Sequence, residues 1–192
     1  MKPIAWPDHL LTLTEFAALP EDRSRYYELQ EGVLTGAPRP GTWHQRVANS
    51  MAFELEDVLP GEWEPICGME VIVEERWPPT VRVPDVAIVP TRLIDRDMQM
   101  PSASDLLGVV EVSVPGSRTL DTVTKCSEYA TAGIPLYWQV DPEPSVTLTD
   151  YRLAGDVYRI GWRGGGRFTS TELVRMCLDL ELLGHRRSGG VP

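Results

Sequence analysis

The stretch that decides the fold is LLGVVEVSVPGSRTLDTVTKCSEYATAGIPLYWQVD, residues 106–141. LLGVVEVSV is nearly all apolar except for Glu111, as expected of a buried strand. From Arg118 to Ala132 the composition turns helical, and Gly133 ends that segment as a C-cap does. PLYWQVD is a second buried strand. Working outward, VRVPDVAIVP and MEVIVEE read as two further strands. SVTLTDYRL and DVYRIGW read as an edge-like strand pair.

Upstream, Gly41 to Leu59 is the clearest helix, with Val47, Met51, Leu55 and Val58 at helical spacing and Thr42 as its N-cap. His44 falls on or beside its buried face. YYELQEGVLTGA reads as a hairpin turning at Glu31-Gly32, and Thr14 as the cap of a short helix stopped by Pro20. The result is an α/β domain, a mixed sheet covered by helices. It is expected to be one domain over residues 1–184, followed by a tail, HRRSGGVP, over 185–192.

Composition narrows the function. A chain of 192 residues can bury about 70% of its unfolded surface, so it folds without a staple. Sixteen glycines and seventeen prolines are too many breakers for a coiled coil. The net charge of −10 excludes a simple basic DNA-coating protein. The acid excess lies almost wholly in residues 1–75, so any anion-binding surface is expected in the second part. There Arg152, Arg159, Arg163 and Arg167 face only Asp156; the plainer reading is a solvated hairpin face. Cys67, Cys126 and Cys177 form no C-x-x-C pair and read as small core residues of a cytoplasmic protein. No membrane span is visible in the sequence. The tryptophans, among them Trp43, Trp138 and Trp162, read as core or rim residues.

The chemistry rests on acids placed inside apolar strands. Asp85 stands in VRVPDVAIVP and Glu111 in LLGVVEVSV. A carboxylate is rarely buried unless it is paired or binds a metal. Two such acids on adjacent strands could hold one divalent cation, and an oxygen-only ligand set suits magnesium or manganese. The other reading is acids at strand edges that face water or pair with arginine. Only Lys2 and Lys125 are lysines among 18 basic residues. Lys125 follows Asp121 by four residues, so it is either half of an ordinary helix pair or a required ammonium point charge.

These residues resemble the Uma-type restriction endonuclease family, a former domain of unknown function within the PD-(D/E)XK restriction-endonuclease-like superfamily. The resemblance is carried, in order, by P-D at Asp85, E-V at Glu111, D-x-x-x-K ending at Lys125, A-G-I-P and Y-W-x-V-D. YYELQEGVLTGAPRPGTWHQRV resembles the family's N-terminal signature, and the likeness runs from about Thr12 to Leu183. It implies a restriction-endonuclease-like mixed β-sheet core flanked by helices, with extra β-hairpins. It also implies Asp85, Glu111, Lys125 and Glu28 as catalytic residues. Asp85 and Glu111 would hold Mg2+ or Mn2+, with the carbonyl of Val112 completing the ligands. His44 and Gln45 match a polar pair at the start of the long helix.

The usual lysine position of the superfamily, two residues after the acid, is Ser113 here; Lys125 replaces it from the next helix. The family's serine is replaced by Val114. The implied activity is Mg-dependent endodeoxyribonuclease, a hydrolase acting on DNA as a homodimer. A catalytically weak or inactive nuclease-fold protein acting as a binding or scaffold module is the alternative. A carboxylate-pair glycoside hydrolase would explain the acids but not Lys125.

Overall fold

A computed structural model describes residues 6–20, 22, 25–113, 120–143 and 145–184. Val114, the 185–192 tail and the side chain of Asp121 lie outside the described residues.

The chain opens with α1 (Leu13–Ala17), capped by Thr12 rather than by the expected Thr14. The cap is a Thr12-x-x-Glu15 box, in which each side chain bonds the other residue's backbone N–H. Strands β1 (Arg25–Gln30) and β2 (Val33–Pro38) form the expected hairpin. Its two turn residues, Glu31 and Gly32, both have positive φ, the geometry that matches strand twist in a two-residue loop. The long helix α2 (Thr42–Val58) starts one residue later than read from the sequence. Its N-cap is Gly41, which has no side chain to make a cap bond; Thr42, the expected cap, is already helical.

β3 (Trp63–Cys67) was not legible, since its burial is intermediate and Pro65 interrupts it. β4 (Val71–Glu74) follows. The run VRVPDVAIVP is not one strand. β5 (Thr80–Arg82) and β6 (Val86–Pro90) belong to different sheets, and Val83-Pro84-Asp85 joins them. Pro84 has no N–H to give a ladder, which ends the pairing there. A short helix α3 (Thr91–Ile94) and a 3-10 turn at Ala103–Asp105 lead into β7 (Gly108–Val112).

Helix α4 (Leu120–Thr131) and β8 (Leu136–Asp141) match the sequence reading. Gly133 takes φ +84 at the helix end, and its N–H reaches the Ala130 carbonyl at 3.0 Å. The remaining elements are β9 (Thr147–Ala154), β10 (Val157–Gly165), β11 (Arg167–Ser170), β12 (Met176–Asp179) and α5 (Glu181–Gly184).

The main sheet has the order β10-β9-β8-β7-β6-β3. Only β7 and β8 pair in parallel, and α4 connects them. β9 is therefore an interior strand, not an edge, because β10 covers it. A smaller sheet runs β2-β1-β5-β4, and β11 pairs with β12. β7 and β8 approach closely at Gly108, where a Cβ would come within 2.9 Å of the Leu136 carbonyl oxygen.

Strand alternation sends side chains to two cores. On one face Val86, Val110, Val112, Trp138 and Leu148 pack against Val47, Met51 and Leu55 of α2 and against Phe168 and Leu178. On the other, Val109, Tyr137 and Ala87 pack against Tyr129 of α4. Each fully buried Leu, Val or Phe contributes roughly 1.5–3 kcal/mol, so both helices are held by packing rather than by propensity. A third cluster, Leu11, Phe16, Leu29, Leu34 and Val81, seals the small sheet under α1.

The cysteines correct the sequence reading. All three are free, but Cys67 and Cys177 are exposed and only Cys126 is half-buried. The tryptophans agree with it: Trp138 lies in the core and Trp162 packs against it, while Trp43 is an exposed rim residue bonded to the Pro142 carbonyl.

Candidate active site

The carboxyl-terminal end of β7, the segment before β6, helix α4 and the β1–β2 hairpin enclose a cleft of about 390 Å³. Its lining includes Glu28, His44, Asp85, Glu111, Val112 and Lys125. All four expected catalytic residues thus meet in one place.

Asp85 is placed by the break between β5 and β6. Val86 pairs with Val110, so one step further Asp85 stands beside Glu111. The Val112 N–H donates to Asp85 Oδ2 at 2.7 Å, which ties the acid to the end of β7. His44, projecting from the first turn of α2, brings Nε2 to 2.9 Å from the Val112 carbonyl and 3.2 Å from Asp85 Oδ2. Both neighbours are acceptors, so Nε2 carries the hydrogen. Burial pulls the His44 pKa down, but the hydrogen bond and charge of Asp85 outweigh it and the net shift is upward. Nδ1 of His44 is the one buried side-chain nitrogen or oxygen without a partner among the described residues.

Glu111 points from β7 toward α4. Tyr129 OH donates to its Oε1 at 2.7 Å and Lys125 Nζ at 3.1 Å. Lys125 and Tyr129 lie four residues apart, one helical turn, so a single face of α4 delivers both donors. Burial pushes the Glu111 carboxyl up to about 7; Asp85 and Glu28 add to the push and Lys125 opposes it. Burial also holds the Tyr129 hydroxyl well above its ordinary value, so it serves as a donor.

Lys125 is buried rather than at the surface, and it lies 3.2 Å from Glu28 Oε1 as well as against Glu111; the expected pairing with Asp121 falls outside the described residues. Glu28 uses both oxygens on protein donors: Oε1 also takes the Val83 N–H at 3.0 Å, and Oε2 takes Arg82 at 2.9 Å. Burial raises its pKa, but Lys125 and Arg82 more than offset this, and the net shift is downward. Arg82 in turn grips Glu128 through two bonds of 2.7 Å. A chain of alternating charge, Glu111–Lys125–Glu28–Arg82–Glu128, therefore fixes the ammonium.

Sequence reading missed three members of this cluster, Arg82, Glu128 and Tyr129. A signal was present, since Lys125, Glu128 and Tyr129 stand at i, i+3 and i+4. Gln45, paired with His44 in the sequence, does not join the site; its amide caps the Pro40 carbonyl at 3.0 Å.

The donor set fits a hard divalent cation. Among the described residues, the hydrogen bonds and ion pairs of the Asp85 carboxylate use Oδ2 and those of Glu111 use Oε1. Neither second oxygen is a buried orphan. The Val112 carbonyl spends one lone pair on His44 and retains another. Among the described residues no three His, Cys, Asp or Glu side chains form a metal cage. Two carboxylates with a carbonyl, the rest left to water and substrate, is the pattern expected of magnesium rather than zinc.

Arg152, Arg159, Arg163 and Arg167 do not converge. Arg152 is consumed by Asp150 at 2.7 Å and by Glu172. Arg159 pairs opposite Arg152 and Arg163 opposite Thr149, with a bulge between Ile160 and Trp162. The extra residue reverses the alternation, so Arg159 and Arg163 face opposite sides of the sheet. Arg167 sits on β11, in the separate two-stranded sheet.

The sequence matches the Uma2 family, described as "Putative restriction endonuclease", over residues 13–166. A crystal structure of a putative nuclease belonging to DUF820 from Anabaena variabilis superposes with a TM-score of 0.66. The two are 18% identical, and the alignment covers 91% of this chain and 97% of the other. At that identity the likeness concerns the fold. No curated protein matches the sequence. Among the described residues, no helix is long and apolar enough to cross a membrane.

Proposed function

The chain belongs to the Uma2 restriction endonuclease family, and from that premise we propose that it is a metal-dependent DNA endonuclease working through Asp85, Glu111 and Lys125. The observation that carries the reading is the meeting of two carboxylates and one buried lysine in a single cleft, with Lys125 Nζ 3.1 Å from Glu111 Oε1.

Asp85, Glu111 and the Val112 carbonyl would hold Mg2+ or Mn2+. When bound, such a cation supplies an acidified water and neutralises phosphate charge. The chain's own residues do the rest. Lys125, braced by Glu28, presents an ammonium that orients the attacking water or stabilises charge growing on the phosphate oxygens. Glu28 acts through Lys125, since Arg82 and the Val83 N–H occupy its other bonds. Tyr129 holds the Glu111 carboxylate in one rotamer and fixes where its second oxygen points. His44 sets the orientation of Asp85 and of the Val112 carbonyl together.

The protein would act in the cytoplasm as a homodimer, so that two sites address two strands. The test is incubation of supercoiled plasmid with purified protein and manganese, magnesium or chelator. Nicking or linearisation that needs the cation and vanishes in Asp85→Asn is the expected result. Absence of cleavage with either cation, while the folded protein still binds DNA, would favour the scaffold reading instead.

A further inference from the structure

The strand registers align one polar side chain per strand in a row across the main sheet. Glu111 pairs with Gln139, Gln139 with Thr149, and Thr149 with Arg163. Directly opposite residues share a face, so all four lie on the side of the sheet that carries Lys125. The preceding row on this face is apolar, with Val109, Tyr137 and Tyr151 in register and the two tyrosine rings stacked at 5.3 Å. The face thus changes from core to polar within one step of each strand. The polar row lines a continuous groove. The cleft around Glu111 and a second depression of about 250 Å³ share Ser113 and Gln139, and the second one adds Thr149 and Arg163.

We propose that this row is the track on which the DNA backbone rests beyond the cut, with Arg163 holding a phosphate. This rests on the nuclease reading and adds a substrate contact to it. Three features carry it. First, Arg163 lies down in the groove: its Nε donates to Thr149 Oγ1 at 3.0 Å. That leaves both terminal nitrogens of a planar fork, the geometry that grips a phosphate in two places. Second, no carboxylate among the described residues pairs with Arg163. Arg152, Arg82, Arg76 and Arg92 each pair with an acid; among the described residues Arg159, Arg167 and Arg175 do not, but none of these three lines the groove. A chain of net charge −10 thus keeps a cation with no ion pair among the described residues at the end of its active-site groove. Asp141 lines the same depression and opposes an anion, but its carboxylate takes the Glu143 N–H at 3.2 Å. Third, the spacing suits a polymer. Three strand separations of about 4.8 Å put Arg163 roughly 14 Å from Glu111. Measured along a duplex axis that is about four base steps, since the rise is about 3.4 Å per step in each strand. Between them Ser113 accepts the Gln139 amide at 3.1 Å and keeps its own hydroxyl hydrogen for a phosphate oxygen.

Arg159, on the opposite face, is the control. Binding of a labelled duplex of about twenty base pairs is followed by anisotropy in chelator over a range of salt. Cleavage of the same duplex is followed in manganese. Arg163→Gln should raise Kd about tenfold and lower the salt slope by about one. It should raise KM similarly and leave kcat within about twofold, while Arg159→Gln changes none of these. Wild-type cleavage combined with unchanged binding and KM in Arg163→Gln overturns the track and leaves the nuclease reading intact. So does an equal loss in both variants, which would mark a diffuse charge effect. A wild-type protein that neither binds nor cleaves removes both.

Discussion

Asp150 and Glu111 are carboxylates set among apolar strand residues on opposite faces of one sheet, and the protein occupies their oxygens differently. Asp150 is 1% exposed and fully spent. Trp138 Nε1 donates to its Oδ1 at 2.8 Å and Arg152 Nε to its Oδ2 at 2.7 Å. Gly161 makes room for this pair, because a Cβ there would stand 2.6 Å from Arg152 Nε and 2.8 Å from Asp150 Oδ2. Glu111 keeps a side chain 16% exposed to the cleft and concentrates its bonds on one oxygen. Burial alone does not mark a functional acid. What separates the two is saturation: a carboxylate whose both oxygens are satisfied by the protein holds structure, and one with an oxygen left over can take a ligand.

The difference can be broken first at Asp150. Asp150→Ala leaves a guanidinium and an indole N–H without their acceptor, and should cost about 4 kcal/mol. In a chain of this size that lowers Tm by roughly 10 °C. Calorimetric manganese binding should be retained below the transition. If Asp150→Ala abolishes metal binding while still folded, the assignment of structural and functional acids is reversed.

Glu111 gives a pH signature that Asp150 does not. In the metal-free protein its carboxyl is raised from 4.5 to about 7, so the folded state holds the proton more tightly than the unfolded one. Folding stability contributed by this group is unaffected below about pH 4.5. It falls as pH rises through the interval and is lost above about 7, a total of about 3 kcal/mol. Denaturant titrations in chelator should show this decline in wild type relative to Glu111→Gln. Parallel curves for the two proteins from pH 5 to 8 would show that Glu111 is not strained.

Lys125→Ala should lose cleavage by about 100-fold, or about 2.7 kcal/mol of activation, with metal affinity kept or slightly raised. Lys125→Arg should not rescue, since the planar group presents its donors elsewhere. Normal plasmid cleavage by Lys125→Ala would take the lysine out of the reaction.

The smallest effect sharpens the structural side. Gly161→Ala should cost about 1–2 kcal/mol in thermal melts through crowding of Asp150 and Arg152. It should leave cleavage unchanged. A neutral Gly161→Ala would mean that the bulge has slack.

Much of this was readable from the chain. The strand–helix–strand over residues 106–141, the hairpin at Glu31-Gly32 and the long helix follow from periodicity, breakers and caps, which are local effects. Asp85, Glu111 and Lys125 stood out because acids in apolar runs and a scarce lysine depart from what a core requires, whereas Glu28 came only from the family resemblance. Their meeting in one cleft agrees with that reading. The fold of the family followed from the order of its motifs.

Other features were settled only by packing. The split of VRVPDVAIVP between two sheets depends on which partner each half finds, and alternation of apolar residues does not name the partner. β9 became interior because β10 covers it, and β3 joined the sheet beside β6 despite weak burial. Arg82 and Glu128 entered the site through contacts 46 residues apart. The bulge at Gly161 separated Arg159 from Arg163, which four-residue spacing in a regular strand places together. The sequence by itself determined which residues could not be ordinary core, because that depends on each residue and its immediate neighbours. Only the tertiary structure decided which of those acids were saturated and which were left with an oxygen to spare, because partners across strands and helices are chosen by register.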